Sequence, residues 1–198
     1  MKLPIFLTML VTFCLWLSYE IDKSQKESDK QNKAFWDREK LALKSTKVSI
    51  GSLPYISLSN TLPIEANPDK ELAAIQNKLK ALMDADIINL TYLSNTDIRI
   101  MYGSNNFEYL SKCDNNYIKL CNVLNSWAKY HISHNNYEYA KKILEYAVNS
   151  DIDSIGIYQK LLSIYKSEQA SDKIEQLYKK THNLHSPAKE QIQSLFSD

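Results

Sequence analysis

The stretch CNVLNSWAKYHISHNNYEYAKKILEYAVNSDIDSIGIYQKLLSIYKSEQASDKIEQLYKKTHNLHSPA, residues 121–188, decides the fold. Shifted against itself by 34 residues, it aligns Leu124, Trp127, Ala128, His131, Ala140, Leu144 and Ala147 with Tyr158, Leu161, Leu162, Tyr165, Ile174, Tyr178 and Thr181. Each period holds two runs of apolar residues at helical spacing, split by a polar turn. The first turn is His134-Asn135-Asn136 and the second is Ser167 to Ser171. A helix pair of this size has one apolar stripe that it cannot bury alone, so consecutive pairs must stack.

The rest of the chain reads outward from that stretch. Asn149 to Asp153 connects the two pairs, and Asp153 or Ser154 is expected to cap the helix that follows. Ser186-Pro187 has the form of an N-cap followed by proline at the first helical position. It predicts a last helix carrying Ile192, Leu195 and Phe196 that covers the open end of the stack. Upstream, Asn67-Pro68 has the same form, with Asp69 and Glu71 near the positive helix end. Leu72, Ile75, Leu79, Leu82 and Met83 mark one face of that helix as far as Asp84. Asn95 to Gly103 alternates too briefly to assign, with Gly103 a break. Asn105 or Asn106 is expected to cap a short helix through Phe107, Leu110 and Cys113. The first regular helix of the repeat then begins near Asn116.

Leu3 to Tyr19 (LPIFLTMLVTFCLWLSY) is uncharged and mostly apolar. Seventeen residues of helix reach about 25 Å, the short end of what spans a hydrocarbon core of about 30 Å. Pro4 suits a helix start, and Trp16 and Tyr19 suit a membrane interface. Cleavage by a signal peptidase would want small residues at positions −1 and −3, which Trp16 next to Ser18 does not supply. Phe13 argues equally against lipid attachment at Cys14. An uncleaved single-pass anchor in the cell membrane is therefore expected. Lysines flank both ends of the run, so the side of the tail stays open. Glu20 to Lys33 is strongly polar and is expected to continue as a helical stalk, gaining an apolar face near Phe35, Trp36, Leu41, Ala42 and Leu43. Ser45 to Asn67 contains Gly51, Pro54 and Pro63 and reads as an irregular linker. The expected organisation is thus an anchor over 1–19, a stalk and linker over 20–66, a helical N-terminal part over 67–120, and the repeats with their capping helix over 121–198.

Composition excludes several functions. From Glu20 onward 23 basic residues balance 23 acidic ones, and no basic block suggests a nucleic-acid footprint. Three isolated glycines leave no glycine-rich phosphate loop. No HExxH pair, GxSxG turn or kinase signature occurs. His131/His134 and His182/His185 each have the i,i+3 spacing of a half metal site, without an evident third ligand. Cys113 and Cys121, eight residues apart on one helix or across its start, are too distant for a disulfide if that helix is continuous, and read as small buried side chains. Asn89-Leu90-Thr91 is a glycosylation sequon, with nothing else pointing to a secretory context. No catalytic residue, metal, cofactor or small-molecule substrate is expected.

Residues 121–188 resemble two tetratricopeptide repeats. Trp127, Ala128, Leu161 and Leu162 match the contact positions of the first helix, and His131 and Tyr165 its following aromatic position. Ala140 and Ala147 match the small residues of the second helix. The usual glycine is missing, Ile152 stands at the closing proline and Ile174 at an alanine, so the pair is divergent. The layout as a whole, including Ser94 to Gly103 (SNTDIRIMYG), resembles membrane-anchored proteins of low-GC Gram-positive bacteria with a tail of this kind. The resemblance implies an all-α fold, a right-handed stack of antiparallel helix pairs. It also implies a partner-binding groove lined by Asn122, Asn125, Ser126 and Lys129 in the first unit and Gln159, Lys160, Ser163 and Lys166 in the second. Lysines supply point charge and amides directed donors, a pattern suited to an acidic protein or peptide. The function expected on that basis is a membrane-anchored scaffold for protein or peptide binding. A metal-binding or enzymatic domain using the histidines or cysteines, and a self-associating membrane spacer, are the alternatives.

Overall fold

The computed structural model describes residues 3–45, 48–58 and 62–197, without the side chains of residues 3–6. Among the described residues the chain is all-α: helices and turns, with no strand. Eight α-helices follow in order: α1 Leu3–Lys44, α2 Lys70–Met83, α3 Asn95–Tyr102, α4 Phe107–Ser133, α5 Tyr137–Asn149, α6 Ile155–Ser167, α7 Ser171–Thr181 and α8 Lys189–Ser194. A 3-10 turn, Ser104–Asn106, joins α3 to α4.

α1 is one helix of 42 residues, and from Leu7 to Arg38 its side chains are exposed. Among the described residues no helix is long and apolar enough to cross a membrane. The remainder of the expected anchor, residues 3–6, has its side chains outside the described residues. The stalk does continue as helix, but Phe35, Trp36, Leu41 and Leu43 are exposed and Ala42 alone of that segment is buried. Polar contacts dock this end instead. Arg38 pairs with Asp97, Thr96 donates to Glu39, and Ser104 Oγ donates to the Ala42 carbonyl at 2.6 Å.

Several helix starts differ from the sequence reading, each for a local reason. α2 is capped by Asp69, not Asn67, because the Asp69 carboxylate reaches the Leu72 N–H at 2.8 Å and also accepts from Tyr130 Oη at 2.7 Å. Residues Asn95–Tyr102, left unassigned above, form a helix fixed by a reciprocal capping box: Ser94 accepts from the Asp97 N–H while Asp97 accepts from the Ser94 N–H. Gly103 ends it at φ 87°, a conformation open to glycine. Asn106 stands at the N-cap position of α4, but its side chain makes no capping bond and the helix is not short. The Asn106 amide donates to the Val48 and Tyr102 carbonyls, and α4 runs unbroken for 27 residues, about 40 Å. Position 120 therefore lies within a helix. α8 begins at Lys189, later than Ser186-Pro187, since Ser186 Oγ accepts from the Ala188 N–H in a turn before the helix.

The two hairpins α4–α5 and α6–α7 turn alike. After α4 the Asn136 N–H bonds the His131 carbonyl and the Asn135 N–H bonds that of Ile132. After α6 the Ala170 N–H bonds the Tyr165 carbonyl and the Gln169 N–H bonds that of Lys166, each group 34 residues beyond its counterpart. Ser133 Oγ donates to the Tyr130 carbonyl and Ser167 Oγ to that of Ile164, again 34 apart. Both ends are Schellman caps, whose left-handed residue is ordinarily glycine. Here it is Asn135 at φ 57° and Gln169 at φ 53°. A left-handed glutamine is strained where glycine is not, so Gln169→Gly is expected to raise stability by about 1 kcal/mol. Thermal or urea unfolding checks it, with the smaller gain at Asn135→Gly because asparagine tolerates this region.

One core runs from Leu72 and Leu79 of α2 through α4–α7 to Ile192 of α8. Trp127 and Leu161 are both fully buried in it. A second, smaller core gathers Ile88, Leu90, Ile98, Leu110 and Cys113 beneath α3.

Candidate functional site

The eight side chains expected to form a groove lie on α4 and α6. Asn122, Ser126, Lys129, Gln159, Ser163 and Lys166 are exposed, and Asn125 and Lys160 half-buried. They point outward because the intervening residues Val123, Leu124, Trp127, Ala128, Leu161, Leu162 and Tyr165 turn into the core. The structure brings two of them together across the hairpins. Lys160 Nζ donates to Asn125 Oδ1 at 2.7 Å and to the Gly156 carbonyl at 3.2 Å. Gly156 permits this approach, since a Cβ there would stand 3.1 Å from the Asn125 amide. Burial, then the nearby Lys129 charge, pushes the Lys160 ammonium below the usual lysine value.

The charged side chains that α4 after Asp114 and α6 carry are lysines and, on α4, His131. α6 contains no acidic residue, and α4 contains none after Asp114. Sequence reasoning missed Lys119 and Lys78, which with Asn122 line a depression of about 420 Å³ between α2 and α4. Lys119 was accessible to it, one helical turn before Asn122 on the same face. Lys78 was not, because it comes from a different helix.

The other expected chemistry separates in space. His131 is buried on α4; His134 hydrogen-bonds the Tyr130 carbonyl through Nδ1 at 2.9 Å, and the Tyr130 ring lies 4.2 Å from its own. His182 packs on Tyr178 and His185 on Tyr92. Among the described residues no three His, Cys, Asp or Glu side chains converge to hold a metal. Cys113 and Cys121 are free, about 12 Å apart along α4. Burial raises the Cys113 thiol and pushes that of Cys121 up to about 12, the reverse of what a thiolate nucleophile requires.

His131 gives the fold a pH dependence. Among the described residues its Nε2 has no hydrogen-bond partner, and it stands 3.9 Å from Glu65 Oε1. Burial pulls the imidazole below its ordinary value, against the opposing pull of Glu65 and with a small push from His134. The unfolded chain therefore takes up the proton first as pH falls, and stability is lost below about 6.5. Urea midpoints at pH 7.5 and 5.5 are expected to differ less in His131→Asn than in the parent chain.

Comparison with protein-family models, with curated proteins and with solved structures gives no match.

Proposed function

We propose that the chain is a membrane-anchored scaffold of two tetratricopeptide-like units that binds an acidic protein or peptide along α4 and α6. The observation that carries this is the face itself: eight polar side chains on the first helices of two successive hairpins, lysines among them, with no acid on α6 or on α4 after Asp114. The matching caps 34 residues apart support the repeat reading, since they give both hairpins the same turn. In this reading the Asn125–Lys160 bond holds the two helices in register, and Lys129 and Lys166 attract the ligand. Leu3 to Tyr19 serves as the anchor, with α1 holding the groove away from the bilayer. The scaffold performs no catalysis and needs no cofactor.

The test uses the full chain carrying Lys129→Glu, Lys160→Glu and Lys166→Glu together. Binding of a fluorescent peptide rich in aspartate and glutamate, read by anisotropy, is expected to be lost while far-ultraviolet circular dichroism is unchanged. Binding that survives the triple reversal excludes the groove. Protease accessibility on intact cells and on opened membranes fixes the side on which it acts.

A further inference from the structure

A second concavity lies at the other end of the helices, where α5 and α7 finish. Its volume is about 620 Å³, and its walls come from four segments: residues 54–57, 89–92, 150–153 and 183–185. A space of this size suits a small molecule or a peptide side chain with its neighbours. Among the described residues the charged side chains lining it are Asp151 and Asp153, with no lysine or arginine.

Asp153 is more than nine-tenths buried. Its carboxylate accepts from Tyr117 Oη on one oxygen and from Asn89 Nδ2 at 3.0 Å on the other. Among the described residues no basic side chain pairs with it. Buried charges are ordinarily balanced by an opposite charge, and two hydrogen bonds from neutral donors do not provide one. Its field is felt nearby, for it adds to the burial that raises Asp114. Asp151 stands two residues away, exposed and turned by a left-handed backbone at φ 54°. Across the opening Tyr92 and His185 pack ring against ring, centroids 6.4 Å apart, presenting an aromatic wall.

We infer that this cavity binds an organic cation, a primary amine or guanidinium. The cation supplies the counter-charge that Asp153 lacks, Asp151 adds a second carboxylate at the rim, and Tyr92 offers a π face to it. Among the described residues no three carboxyl or imidazole groups converge at the cavity. That arrangement suits a chain-like amine better than a bare metal ion, which needs close oxygen ligands. The site is independent of the lysine-bearing face of α4 and α6 and carries the opposite charge.

The experiment is calorimetric titration of the full chain with spermidine at fixed ionic strength. Asp153→Asn endangers the fold, so the variants are Asp151→Asn and Tyr92→Ala, both at exposed positions, with Asp172→Asn on α7 as control. Saturable binding to one site is expected, weakened about tenfold or more by each of the two cavity variants and unaltered by the control. The inference is overturned if spermidine does not bind, or if the two variants bind it as the parent does. Equal weakening by Asp172→Asn also overturns it, since that result marks diffuse counter-ion attraction.

Discussion

Trp127→Ala is expected to cost about 3–5 kcal/mol of folding stability, the largest effect of any single truncation in this chain. The side chain is fully buried in the main core and is the largest so enclosed. The same core includes Leu79 of α2, Ala140 and Leu144 of α5, and Leu161 of α6. Its loss leaves a void that packed helices fill only in part, so transfer and cavity terms add. Among the described residues the indole Nε1 has no hydrogen-bond partner. Trp127→Phe should therefore lose much less, as it keeps a ring and removes a buried donor that already costs free energy. Urea unfolding followed by circular dichroism at 222 nm compares the two. Equal losses would mean that the indole, rather than the volume, matters.

Tyr117→Phe is expected to cost about 2–3 kcal/mol, although it removes a single oxygen. That oxygen donates to the Asp153 carboxylate and accepts from the Asp153 backbone N–H at 3.1 Å. Both ends of the network are buried, so deletion strands a carboxylate oxygen and an amide together. Burial and the neighbouring Cys121 and Asp153 groups hold the phenol far above its ordinary value, and it remains a donor throughout the accessible pH range. Losing the bond also loosens the α5–α6 connector, so amide exchange at Asp153 is expected to accelerate in the variant. A variant as stable as the parent would show that the network contributes nothing net.

Some of this was legible in the chain and some was not, for identifiable reasons. The turns at His134–Asn136 and Ser167–Ser171 could be read because polar runs interrupt an apolar stripe of helical period. Ser94 and Asp97 form a capping box whose spacing is visible in the sequence, yet the short alternating run after Ser94 obscured it. The cap of α2 moved to Asp69 because a carboxylate with a second partner, Tyr130, lies within reach. Phe35 and Trp36 read as an apolar face, but α3 meets α1 further along, at Arg38 and Glu39, and the 3-10 turn meets it at Ala42. For the groove, the outward positions on α4 and α6 follow from helical phase alone. The Lys160–Asn125 bond and the contribution of Lys78 do not.

By itself the sequence determined the helical class, the hairpin turns and which stripe of each helix is apolar. Those are local properties, fixed by 3.6 residues per turn and by where polar and left-handed residues interrupt it. Only the tertiary structure decided that Tyr117 and Asn89 meet at Asp153, that His131 faces Glu65, and that four loops enclose an acidic cavity. Those groups lie between 36 and 66 residues apart in the chain, and no periodicity relates them. Their meeting depends on how the helices pack, which is set by the fit of buried side chains across elements rather than by any one segment.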